Sequence, residues 1–507
     1  MRITHRHLAL FTAASLAAPL AAQDLDLRKF GGALGGPVVL DLHGQPNEPY
    51  AILLDLVEVP TYLPGLDVTL DISDQFAWLT VNAPGMLGGC DGGGDAQATL
   101  PMPNDPWLLQ CVFSFQAVAG FGPYRASNLV RITPQVTGTF RETLEAPVAP
   151  IAGGGAAIST DDEWIFVGGS GPVAQRYRSR TEQWELAGAS FGVGLLSQTT
   201  PLADGRVLFT GGLDLTTGQP TANAAIYDPA TQTTTELTMG AARAGHGSSQ
   251  LGNGLVLITG GVSSVDLTDP LALFSGILGT TEFFDPATNT FSAGPGLLEP
   301  RALHTSTTLT TGEALIAGGI TLLPIVNIPT VSATAYRFNP ASGSFGLPAF
   351  FNGARFLHSA TALSDGRVLL AGGLSLDLGA VLASGDLADL VIGTRDDCVR
   401  YSTGLFGFGT FETVAGLQVG RAAPAIAPLP GGGALIAGGF QLGIDVSSQE
   451  FVATATDTAD VFTPSPNTIT PTGSMAEARL FPITLPLPDG TILIVGGGPA
   501  QSEVYQY

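Results

Sequence analysis

The stretch Asp204–Pro229, DGRVLFTGGLDLTTGQPTANAAIYDP, decides the fold. It opens with an Asp-Gly pair, which tolerates positive φ and closes a tight hairpin. Val207-Leu208-Phe209 follows. This run is too short for a helix and is bounded by turn residues, so it predicts a strand buried on both faces. Gly211-Gly212 ends the strand. Glycine there marks a bulge or a close backbone approach, here between neighbouring units. A loop leads to a second strand carrying Tyr227. Asp228-Pro229 then starts a type I turn, where the fixed φ of proline fits.

Working outward, the pattern recurs along the chain. Glycine pairs stand at Gly168-Gly169, Gly211-Gly212, Gly260-Gly261, Gly318-Gly319, Gly372-Gly373, Gly438-Gly439 and Gly496-Gly497. Turn pairs precede most of them: Asn253-Gly254, Thr311-Gly312, Asp365-Gly366, Gly431-Gly432 and Asp489-Gly490. One aromatic follows each glycine pair: Tyr177, Tyr227, Phe284, Phe338, Tyr401, Phe462 and Tyr505. Trp184, Phe291, Phe345 and Phe411 then mark a short outer strand. The double glycine, the aromatic before Asp-Pro and the preceding Arg-x-x-His resemble the kelch repeat, whose period is about fifty residues. The galactose-oxidase central domain has the same pattern. The resemblance covers Gln135–Tyr507 and implies a seven-bladed β-propeller. The last repeat stops at its third strand, Glu503-Val504-Tyr505. Thr137-Gly138-Thr139-Phe140 matches the outer strands of other repeats. We therefore expect it to complete the seventh blade and close the ring, removing exposed sheet edges.

The chain before residue 135 differs. Met1–Ala22 reads as a secretory signal: a basic start at Arg2 and Arg6, an apolar run Leu8–Leu20 too short to span a bilayer, and small residues before Gln23. Residues 23–134 lack the glycine pair. They alternate short apolar strands with turns: Pro37–Leu42, Ala51–Val59, Leu66–Ile72, Phe76–Val81, Ala96–Leu100, Leu108–Ala117 and Asn128–Ile132. That spacing suits a small β-sandwich. The expected class is thus all-β, a sandwich followed by a propeller. Export makes a disulfide the expected fate of Cys90 and Cys111, with Cys398 left as an unpaired thiol. Lys29 is the only lysine, and the net charge is -23. This acidity argues against nucleic acid or anionic membranes as partners.

Five repeats carry an arginine ahead of the inner strand: Arg243, Arg301, Arg355, Arg421 and Arg479. Three add a histidine: His246, His304 and His358. These eight are the candidate binding residues. Clustered imidazoles can hold a metal, but each histidine comes from a different blade, so the expected role of Arg and His is to bond loop carbonyls and tie blade to blade. The galactose-oxidase copper pattern fails: there is one propeller cysteine, Cys398, and no Tyr-His pair. No metal, cofactor or catalytic residue is expected. A phosphate-binding glycine loop with lysine is absent, since Lys29 lies elsewhere. Asp161-Asp162-Glu163 and Asp396-Asp397 lack calcium-loop spacing.

Loop length is the stronger functional signal. The loops between second and third strands are expanded in the middle blades: Leu213–Ala224, Val262–Thr281, Ile320–Thr334, Leu374–Asp397 and Phe440–Thr458. They are short at Ser170–Val173 and Gly498–Gln501. Apolar segments such as Leu322–Val326 and Leu387–Ile392 lie within them. Long loops in compact domains are usually functional or extend the sheet. The expectation is an exported, non-catalytic protein that binds a protein or glycan through this face. The competing functions are a carbohydrate-active or oxidoreductive enzyme with its site at the axial opening, or a structural envelope component.

Overall fold

A computed structural model of the chain describes residues 25–507 apart from 74, 76–82, 150, 152–153, 159–162, 169–173, 187–193, 215, 266–275, 323–327, 378–390, 405–407, 446–449 and 499. The signal segment 1–22, the strand Phe76–Val81, Asp161-Asp162, Gly169, the loop 170–173 and much of the two apolar loop segments lie outside the described residues. Among the described residues there is no α-helix, and no helix is long and apolar enough to cross a membrane.

Residues 26–132 form two antiparallel sheets and a hairpin. One sheet pairs Asp26–Gly31, Pro37–His43 and Asp95–Pro101. The other is built around Pro49–Asp55 and Phe113–Ala119. Leu27, Leu40 and Ala98 of the first meet Ile52, Phe115 and Ile132 of the second in one buried core, the expected sandwich. The expected strand Leu108–Ala117 fails in its first part. Leu108–Gln110 belongs to a 3-10 helix, Pro106–Gln110, because Asp105 caps Trp107 N–H and proline occupies the first turn. The strand starts only at Phe113.

The expected Cys90–Cys111 disulfide is also corrected. Both residues are free and buried. Cys90 N–H donates to Glu48 O, just before Pro49–Asp55 begins. Cys111 precedes Phe113–Ala119, whose Ser114 pairs with Asp55 at the far end of that strand. Seven residues of strand cover roughly 20 Å at about 3.3 Å each. A disulfide needs α-carbons within about 7 Å. Burial pushes the Cys90 thiol up to about 11, helped by Glu48 and Asp91. Cys398, also free, is fully buried and pushed up to about 12 by that burial.

Among the described residues, 139–506 form successive antiparallel sheets, here numbered as blades one to seven, each four-stranded except blade four, which has a fifth short strand, Ala349–Phe350. Their inner strands are Gly154–Ile158, Gln198–Pro201, Gly247–Gln250, Thr305–Thr308, Ser359–Ala362, Ala425–Pro428 and Ile483–Pro486. Each neighbours the next, and the last neighbours the first, so the sheets stand in a ring. The second strands, Val256–Thr259 and Ile492–Val495 for example, are buried along their whole length. The second glycines of the turn pairs all take positive φ, from 79° at Gly312 to 92° at Gly432, which only glycine adopts without strain.

Cross-strand aromatics fasten five of the seven outer strands; blades two and six pair Tyr227 with Thr234 and Phe462 with Ile469 instead. Tyr177 meets Trp184 at 5.1 Å between centroids, Phe284 meets Phe291 at 5.0 Å, and Tyr401 meets Phe411 at 5.2 Å. Such pairs are worth about 0.5–1.5 kcal/mol beyond burial. Blade seven takes its outer strand from the start of the array. Thr139–Glu142 pairs antiparallel with Glu503–Gln506, placing Phe140 opposite Tyr505 with their rings 4.8 Å apart.

Candidate functional site

In an up-and-down blade, the entry to the inner strand and the loop between second and third strands emerge on one face. The arginines sit at that entry. All five are buried, at 0–1% exposure, and all five do the same thing. The guanidinium donates to the carbonyl of the first glycine of its own blade: Arg243 to Gly260 at 2.8 Å, Arg301 to Gly318 at 3.0 Å, Arg355 to Gly372 at 3.1 Å, Arg421 to Gly438 at 3.4 Å and Arg479 to Gly496 at 3.2 Å. Its backbone carbonyl accepts from the second glycine of the preceding blade, as in Gly261 N–H to Arg301 O at 2.9 Å and Gly439 N–H to Arg479 O at 2.9 Å. One residue thus rivets two blades. The glycines are required because a Cβ on Gly260 would lie 2.1 Å from Arg301 O.

Each guanidinium also meets a carboxylate: Glu282, Glu299, Asp397, Asp460 and Glu503 respectively. Glu282, Asp460 and Glu503 share one place, two residues before the repeated aromatic, whereas Glu299 and Asp397 come from elsewhere in the repeat. Burial lowers the pKa of Arg421 and raises that of Asp460 against the pull of their pairing.

The histidines are buried as well. His246 Nε2 meets Thr210 Oγ1 at 2.9 Å, His304 meets Thr259 at 2.8 Å and His358 meets Thr305 at 3.0 Å. Each bond crosses to the preceding blade. Burial, together with the nearby arginine, holds His246 down at about 3 and the other two well below the usual imidazole range. All three are therefore neutral at physiological pH. Among the described residues, no three His, Cys, Asp or Glu side chains gather as a metal-binding group.

The residue between arginine and histidine carries the feature that sequence reasoning missed. Leu196, Gly245, Leu303, Leu357, Ala423 and Phe481 occupy this place in blades two to seven. All have positive φ, from 44° to 61°. A left-handed conformation costs an L-residue roughly 1–2 kcal/mol. Four backbone bonds link these residues around the axis: Gly245 N–H to Leu196 O, Leu303 to Gly245, Leu357 to Leu303 and Ala423 to Leu357, at 2.6–3.1 Å. The five side chains form an apolar collar at the axial mouth. Below it lies a cavity of about 290 Å³ lined also by Ser197, Gln198, the three histidines, Ser359, Pro424 and Pro482. No sequence signal marks a leucine or phenylalanine for left-handed backbone.

The expanded loops on blades four to six are β-hairpins: Ile320–Leu322 with Pro329–Val331, Leu374–Asp377 with Val391–Thr394, and Phe440–Asp445 with Glu450–Ala455. They stand side by side in that order. Their bases share one apolar cluster with the collar, including Ile320, Phe356, Leu374 and Phe440 packed against Leu303, Leu357 and Ala423. Phe440 stacks near Phe481 at 5.2 Å. Val391 is 57% exposed and Val452 44%. So the candidate residues divide. The arginines have their donors committed to glycine carbonyls and carboxylates, the histidines line the axial cavity, and the hairpins form the accessible surface.

No protein-family model matches the chain, and no curated protein is similar to it. Solved structures are. YjhT is 17% identical and covers 65% of this chain and 99% of its own, with a TM-score of 0.48. A fungal alcohol oxidase of the AA5 family, solved with copper, is 17% identical and covers 72% of this chain and 75% of its own, with a TM-score of 0.50. The fold is a galactose-oxidase-like, kelch-type propeller.

Proposed function

We propose that the chain is an exported, non-catalytic propeller that binds a protein partner on the hairpin face. The carrying observation is the row of three adjoining hairpins rooted in an apolar cluster continuous with the collar. Such a surface is rich in exposed aliphatic groups and carries no charge in the collar, which suits a protein partner more than a glycan. The arginines and histidines hold this face in shape and do not themselves touch the partner. The described contacts of the sandwich fall on the opposite face, at Asp489 and Thr181. This weighs against a structural envelope component whose sandwich covers the loops.

The axial cavity supports a second reading, a small carbohydrate or oxidase-like or mutarotase-like substrate held by neutral imidazoles and the Ser197 and Ser359 hydroxyls. Placing carboxylates on the apolar surface separates the two. Val391→Glu and Val452→Glu should abolish capture of a partner by the exported protein while leaving its melting temperature unchanged. Equal capture by wild type and variants sinks the hairpin reading. Saturable binding of a monosaccharide, lost on narrowing the mouth with Ala423→Leu, would move the second reading to first place.

A further inference from the structure

The arginine rivet is not universal. At the entry to blade one its place is taken by Ile151, whose carbonyl accepts from Gly497 N–H at 3.2 Å. An isoleucine side chain has no donor to fasten the other side. This is also the seam where the ring depends on pairing two distant segments, Thr139–Glu142 and Glu503–Gln506. Blades three to seven each carry the arginine. The seam that needs fastening most lacks it.

The sandwich docks at this place. On the blade-seven side, Gly31 N–H donates to Asp489 O at 3.3 Å, and Lys29 Nζ lies 3.5 Å from the Asp489 carboxylate. On the blade-one side, Arg131 N–H donates to Arg180 O at 2.8 Å and its guanidinium to Thr181 O at 2.6 Å. Arg180 in turn pairs with Asp26. Lys29 joins the two sides by donating to Arg131 O at 2.7 Å. Gln135 then reaches across the closing pair itself, donating to Thr139 O at 2.6 Å and Val504 O at 3.0 Å. Lys29 and Asp489 are both buried, at 8% and 9% exposure. Breaking such a pair leaves an uncompensated charge.

We propose that the sandwich is the clasp of the ring, fastening the blade-seven to blade-one seam through Lys29 and Arg131 where the arginine rivet is missing. Loss of the clasp opens the ring at that seam and nowhere else. Stability is then local: the seam strands form a unit whose opening is set by the sandwich.

The chain carries its own reporter, because Lys29 is the only lysine. In full-length protein, Asp489→Asn should speed acylation of Lys29 by an N-hydroxysuccinimide ester at least tenfold. Amide hydrogen exchange in Thr139–Glu142 and Glu503–Gln506 should rise at least tenfold in the same variant, while Ala314–Ala317 of blade four exchanges as before. Wild-type protein acylated at Lys29 provides the same test if the variant does not fold. The clasp is overturned if Lys29 becomes reactive while seam exchange stays at the wild-type rate, since the sandwich would then leave without consequence. A uniform rise across all blades also overturns it.

Discussion

Blades three to five and blades six and seven build the same junction with different residues. All five use the arginine. Blades three to five follow it with His246, His304 and His358, and blades six and seven with Pro424 and Pro482. The histidine fills space against the first glycine of the preceding blade: a Cβ on Gly211 would lie 2.9 Å from His246 Cε1. In blade seven Pro482 does this, with Cγ 2.9 Å from the corresponding point on Gly438. A ring with two nitrogens and an N–H donor is thus exchanged for one whose single nitrogen is in the peptide bond and donates nothing. The shared requirement is a flat, compact plug. The arginine, by contrast, has no substitute at any of the five junctions.

That contrast can be broken most severely at the arginine. Arg421→Met should cost about 3–5 kcal/mol, because it strands the Asp460 carboxylate, whose side chain is 0% exposed. Chemical denaturation would measure it. The double variant Arg421→Met with Asp460→Leu should recover much of the loss. If the single variant costs under 1 kcal/mol, the rivet is ornamental. The glycine partner comes next. Gly260→Ala introduces a Cβ 2.1 Å from Arg301 O at a φ of +57° and should cost about 2 kcal/mol or more. A smaller effect would mean that the two blades slide apart readily.

The plug should be the mildest to change. His246→Pro, copying blades six and seven, should alter stability at pH 7 by no more than about 1 kcal/mol. Its effect should appear instead in acid. Folded His246 titrates at about 3, against roughly 6.5 in the unfolded chain. As pH falls through that window the unfolded chain binds a proton that the folded chain refuses. The stability from a neutral His246 is therefore present above pH 6.5 and lost towards pH 3. The proline variant should show a shallower acid limb in unfolding curves taken from pH 7 to 4. An unchanged limb would mean that His246 is not held neutral.

Much of the ring was legible because its determinants are local. The turn glycines, the apolar second strands and the aromatic pairs repeat at fixed places. Thr137-Gly138-Thr139-Phe140 could be matched to blade seven by that pattern alone. The cysteines illustrate the limit. Membership of one small domain suggested that Cys90 and Cys111 should meet, yet strand order puts them at opposite ends of Pro49–Asp55. Order among paired strands is a long-range property that spacing does not carry. Loop length revealed the expanded face but not its hairpins. The collar was invisible for a third reason: Leu303, Leu357 and Phe481 take left-handed backbone because neighbouring blades impose it, against their own preference.

The pairing of Thr139–Glu142 with Glu503–Gln506 also has a consequence in time. Gln135 and its acceptor on Val504 are 369 positions apart. At a synthesis rate of about 5–20 residues per second, the first strand waits roughly 20–70 s for its partner. Throughout that interval blade seven has no inner layers and the ring is an open arc with two bare edges. Any helper that shields a growing chain has the most to do here, and its task ends when the final strand arrives.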